Sequence, residues 1–272
     1  VSTAATPEAM SGRHRFYRQL FVLAVAGMVL IALPYPIRRL SVLCSLALIL
    51  LLSLELGQPL HPRHPRHRWA DRLYRLTGLV GFGFQVAWLL TPVVTGRLTS
   101  GVSVMVLLTT FSFWSLRRLL ICLSRETVIN GEVLTGAVAG YLLLGINGGL
   151  FLAVLETVAP GSFVNAAHDH QAMAIGVFPA TSHQFASWTL DLSRIYYFAF
   201  VSLTTVGFGD IVAVTPPAQM ATVALSVSGP LYLAVVMGLL ISRYTVQTET
   251  VQTESIQTES VSTETQHDDP SD

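Results

Sequence analysis

Thr204-Thr205-Val206-Gly207-Phe208-Gly209-Asp210 is a short polar run set between apolar segments. Glycine stands at alternate positions, Gly207 and Gly209, between a threonine pair and a carboxylate. Glycine adopts positive φ at little steric cost, and alternating it with ordinary residues lets successive carbonyls face one side of the strand. A row of such oxygens, closed into a ring by symmetry, can replace the hydration shell of a cation without holding it as a fixed charge would. A bare Gly-x-Gly is commonly only a turn. The setting argues for more: an aromatic-rich segment with Tyr196, Tyr197, Phe198 and Phe200 precedes the run, and an apolar stretch of membrane-spanning length follows it.

Around this run the chain of 272 residues is 51% hydrophobic and 12% charged, too apolar for an ordinary soluble domain of this length. An all-α integral membrane protein is expected. Apolar runs long enough to span fall at 16–33, 40–56, 73–90, 102–123, 132–155 and 216–244. The first lacks a small-residue cleavage site and is followed by further spans, so it reads as an anchor rather than a removable signal. The segment 194–203 is too short to cross a bilayer, and reads as a re-entrant helix whose C-terminus points partial negative charge at the following run. Between the fifth span and that helix, 156–192 is too polar to span and too long for a hairpin, which suggests a turret or cap.

All basic residues are arginines, and they balance the acidic residues in number. The balance gives no sign of a nucleic-acid partner. With both termini and the second and fourth loops cytoplasmic, only Arg38, Arg39, Arg97 and Arg194 face outside, in keeping with the positive-inside rule. The domains expected are a cytoplasmic N-terminus at 1–15, a four-helix region at 16–123, a linker at 124–131, a pore region at 132–244 and a tail at 245–272. That tail repeats Val246-Gln-Thr-Glu-Thr in variant form. A five-residue step turns about 140° around a helix, so no apolar stripe forms, and an acidic, disordered segment is expected.

Thr204 to Asp210, with the short helix before it and the apolar helix after it, resembles the filter region of tetrameric P-loop potassium channels, and the six-span layout is similar to the wider family. The resemblance implies a homotetramer passing potassium passively through a fourfold pore in the plasma membrane, with no cofactor beyond the permeant ion. It implies ion sites at the carbonyls of Thr205, Val206, Gly207 and Phe208 and the Thr205 hydroxyl. Gly207 and Gly209 would permit the backbone geometry, and Thr204, Asp210, Val201 and Tyr197 would support the filter. Gly229 stands where the family has a gating glycine, and Pro230 would sharpen the bend. Partners implied are three further copies and the bilayer, with room for a regulatory subunit.

Three departures matter. Phe208 replaces a common tyrosine, which removes a bracing hydroxyl but keeps the ligand carbonyl. Val201 replaces the glutamate of some bacterial members, and the fourth span carries Arg117 and Arg118 but no regular arginine ladder. Each charge crossing the field contributes only about 2.3 kcal/mol per 100 mV, so steep voltage gating is not expected. Arg117, Arg118 and Arg125 read as anchors at the inner face.

Other readings attach to the histidines. His61, His64 and His67 recur among prolines and arginines; a metal site is the sharp reading and a basic loop facing anionic lipid the plainer one. His168, Asp169, His170 and His183 in the turret are candidates for sensing external protons or a metal, which makes a voltage- or pH-gated potassium channel one alternative. An integral membrane metalloenzyme built on these histidine clusters is the alternative of another class. Cys44 and Cys122 lie in apolar runs and suit packing better than a disulfide. The first glycine-rich helix after the linker, with Gly136, Gly140, Gly145 and Gly149, suggests close helix packing. Thr215 before Pro216-Pro217 reads as a helix cap.

Overall fold

A computed structural model describes residues 7–33, 40–57, 65–90, 101–124, 126, 131–166, 171–172 and 182–245. Four helices come first: α1 (Pro7–Ala32), α2 (Leu40–Glu55), α3 (Pro65–Leu90) and α4 (Gly101–Ser124). Then follow α5 (Gly131–Val158), the short strands β1 (Phe163–Asn165) and β2 (Gln171–Ala172), α6 (Ser182–Leu203), β3 (Ile211–Ala213) and α7 (Pro216–Tyr232). A π-helical turn, Leu233–Met237, continues α7, and the helical run as a whole extends over Pro216–Thr245. The tail at 246–272 lies outside the described residues, as do His61 and His64.

Three helices among the described residues are long and apolar enough to cross a membrane: Val104–Ser124, Gly131–Val158 and Pro216–Thr245. Helix α2 is shorter, α1 carries Glu8, Arg13, Arg15 and Arg18 in its first half, and α3 opens on a basic first turn. Both α1 and α3 start earlier than their apolar runs. Pro7 and Pro65 each sit at the first helical position, where the missing N–H costs nothing, so Pro65 opens the helix that carries His67 rather than barring one.

Helix α5 is the hub, packing against α1, α4, α6 and α7. Its glycines make this possible, because each leaves a slot that a neighbour's side chain fills. Tyr17 lies over Gly136, the Tyr232 hydroxyl over Gly140, Phe200 over Gly145 and Tyr196 over Gly149. The two Gly-x-x-x-Gly spacings thus receive aromatic rings rather than a bare helix backbone. Tyr232 also donates a 2.7 Å hydrogen bond to the Ala137 carbonyl, which fixes α7 to α5. One apolar core joins Tyr17, Leu20, Tyr74, Phe111, Leu119 and Leu143 between the first four helices and α5. A second gathers Leu152, Phe163, Ile195, Ala199, Leu203 and Ile211 around α6.

Arg118 corrects its expected place at the inner face. It is 4% exposed and forms a 2.7 Å ion pair with Asp71 on α3, with its guanidinium 4.7 Å from the Tyr74 ring centroid. A lone arginine inside an apolar bundle must find a carboxylate, and α3 supplies one a turn before Tyr74. Arg117, next to it in sequence, faces outward. Cys44 and Cys122 are both free thiols; Cys44 is buried and donates to the Leu23 carbonyl at 3.1 Å.

Candidate functional site

Helix α6 delivers the chain to the candidate site. It begins at Ser182 rather than at 194, so the second part of the expected turret is helical, and only 192–203 forms an apolar helix. Its end is closed by backbone bonds: the N–H groups of Thr204, Thr205 and Val206 donate to the carbonyls of Phe200, Ser202 and Val201 at 2.9, 3.0 and 3.0 Å. The Thr204 hydroxyl returns to the Phe200 carbonyl at 2.8 Å. The following run therefore starts from a fixed point.

From there the backbone alternates. Thr205, Gly207 and Gly209 have φ of 60°, 58° and 78°, which with Gly161 completes the set of positive-φ residues among those described. Alternate positive φ over five residues is the signature of a strand whose successive carbonyls turn the same way. The two glycines were legible in advance. Thr205 was not, because a β-branched residue strongly resists this region and sequence alone gives no reason to put it there. The hydrogen-bonded turn at the end of α6 imposes it.

Side chains in this run project outward from a single chain: Val206 is 54% and Phe208 69% exposed. Tyr197 of α6 stacks flat on Phe208, with ring centroids 6.4 Å apart and planes 3° from parallel. Its hydroxyl lies near the Asp210 carboxylate. Phe208 thus lies parallel to and offset from a ring of α6. Val201 is buried, and its carbonyl accepts from both Val206 and, at 3.4 Å, Gly207.

Beside the run lies a cavity of about 520 Å³, lined on one side by Thr205, Gly207 and Gly209 and on the other by Thr222 and Ser226 of α7. Gly229 brings the two walls together. A Cβ at this position would run into the Leu203 carbonyl, so Gly229 is the contact through which α7 receives the end of α6. Pro230 follows inside the helix, and the π turn begins three residues later. Thr215 is extended at the start of α7 as a cap residue should be, but its side chain makes no cap bond; its hydroxyl turns to Ser162 at 3.0 Å instead.

His168, Asp169 and His170 lie outside the described residues. His183 falls in the first turn of α6, and His67 in the first turn of α3. Among the described residues no group of three or more His, Cys, Asp or Glu side chains is placed to hold a metal.

Residues 170–246 match a family model described as an ion channel. The matched segment takes in α6, the alternating run, β3 and α7, which is the part of the chain where the alternating positive φ and the α6–α7 contact lie. It supports an ion channel of the potassium-channel type and leaves the first five helices and β1 unmatched. No curated protein and no solved structure matches the chain.

Proposed function

We propose that this protein is a potassium-selective channel in which four copies each contribute one filter strand, 204–210, to a central pore. The observation that carries the reading is the alternation of positive φ at Thr205, Gly207 and Gly209 in a strand launched from the C-terminus of a short apolar helix. The carbonyls of Thr205, Val206, Gly207 and Phe208 and the Thr205 hydroxyl replace the hydration shell of potassium, and Asp210 closes the outer end. The strand is incomplete in one chain, since an ion needs oxygens on all sides. Its exposed side chains, and the apolar face of α7 with Met220, Val223, Val227 and Leu231, are the surfaces that neighbouring copies cover.

The first four helices complete a six-span protein with both termini cytoplasmic, in the plasma membrane, oriented by its arginines. Conduction is passive, and no chemical step is required. The Asp71–Arg118 pair supports gating without steep voltage dependence, because the buried arginine of α4 already has its countercharge on a neighbouring helix. The bend that opens the pore falls at or below Gly229 and Pro230. Purified protein in liposomes tests the reading: potassium flux well above sodium flux, blocked by barium, is the expected result. Equal sodium and potassium conductance would overturn the selectivity.

A further inference from the structure

Resting on the reading of 204–210 as an ion filter, we infer that the three-stranded sheet positions the filter's outer end, with the Ala166 N–H and the Glu156 carboxylate as its positioning groups. The sheet has the order β2-β1-β3, with both pairings antiparallel. Strand β3 starts at Ile211, the residue after Asp210, so the filter runs straight into it. Its register on β1 pairs Phe163 with Ala213, Val164 with Val212 and Asn165 with Ile211. The ladder continues one step further at each end. Val214 N–H donates to the Ser162 carbonyl at 2.9 Å, and Ala166 N–H donates to the carbonyl of Asp210 itself at 2.8 Å. A sheet bond therefore ends on the last filter residue.

Strand β1 is in turn anchored to α5. Glu156 is fully buried near the end of that helix, and its two oxygens accept separately from the Gly161 N–H at 2.7 Å and the Phe163 N–H at 2.9 Å. Gly161, at φ 83°, makes the tight reversal between them. Phe163 is buried against Phe198 of α6, with ring centroids 5.5 Å apart. A slip of one residue between β1 and β3 would exchange the two faces of a strand and expel Phe163 or Ile211 from the core, so the register is fixed by burial as well as by bonds. The filter is thus strung between two fixed points. The Val201 carbonyl holds its inner end and the sheet holds its outer end, and the spacing of the carbonyls between them depends on both.

The consequence is that loosening the sheet changes which ion passes, with the filter sequence intact. Ala166→Pro removes the donor to Asp210, and Glu156→Gln leaves only one oxygen for two N–H groups. Each is expected to lower the potassium-to-sodium permeability ratio in proteoliposomes by about tenfold or more, as loss of one buried hydrogen bond in each of four copies would do. The ratio does not depend on how many channels are active, so a variant that merely folds less well leaves it unchanged. A further variant covers poor folding of these two. Asn165 and Ile211 are opposed at a site without paired ladder bonds, where Cα atoms lie about 4.5 Å apart, within disulfide reach. Asn165→Cys/Ile211→Cys, with each single replacement as control, is expected to have a low ratio when reduced and a restored ratio when an added thiol oxidant closes the disulfide. Wild-type protein without potassium preference would sink the filter reading itself. A selective wild type whose folded variants keep its ratio, with no redox effect in the double-cysteine protein, would overturn the role of the sheet while leaving the filter in place.

Discussion

Replacing Gly207 with alanine separates backbone handedness from steric fit. No heavy atom lies within 4 Å of where a Cβ would stand at Gly207, so the new methyl group meets no neighbour within its own chain. The penalty comes from φ, which is 58° at this residue. An L-residue held in the left-handed region costs about 1–2 kcal/mol, so a ring of four carries about 4–8 kcal/mol. At about 1.4 kcal/mol per factor of ten, that favours other filter conformations by about three to six powers of ten. The expected outcome is a protein that assembles normally in detergent but has lost selective potassium flux in liposomes. Gly83→Ala is the matched control: its Cβ also meets nothing within 4 Å, but it lies in regular helix, where alanine is favoured by about 1 kcal/mol. Full selectivity in Gly207→Ala would refute the assignment of ion sites to this strand. Loss of selectivity in Gly83→Ala would show that the assay reports folding instead.

Other consequences follow from packing. Asp71→Asn removes the carboxylate that pairs with the buried Arg118 at 2.7 Å and is expected to lower stability by about 3–5 kcal/mol, read as earlier thermal unfolding in detergent; Asp71→Leu/Arg118→Met is expected to recover most of it. In current recordings, a steep voltage dependence that Arg118→Met abolishes would contradict the reading of this pair as a static one. Gly229→Ala drives a methyl group into the Leu203 backbone and is expected to abolish flux by displacing the end of α6, whereas Gly238→Ala meets open space and is expected to conduct. Tyr232→Phe loses one buried hydrogen bond to Ala137 and is expected to cost about 1 kcal/mol of stability with conduction retained.

The sequence disclosed those features that local chemistry determines. Alternate glycines pointed to the run of alternating positive φ, and long apolar runs pointed to helices. Features set by distant partners were not legible. Arg118 read as a surface anchor because its countercharge, Asp71, lies in a basic stretch of a different helix. The strands β1, β2 and β3 are two or three residues long, too short for an alternating pattern to register, and the groups that bond β1 in place, the Glu156 carboxylate and the Asp210 carbonyl, lie elsewhere in the chain. The positive φ of Thr205 comes from the turn that ends α6. Gly229 could be read as a flexible point, but its contact with Leu203 requires both helices to be in place.

The π turn at Leu233–Met237 puts the inner helix out of phase with itself. One extra residue in a turn offsets everything beyond it by about 100° relative to an unbroken α-helix. Above the turn, α7 is pinned by Gly229 to the end of α6 and by Tyr232 to α5. Tightening that single turn to α geometry would rotate the lower segment, including Leu239 and Ile241, about its own axis and leave both pins untouched. In the proposed pore, such a twist would exchange one set of side chains at the inner end for another while residues 204–210 stand still.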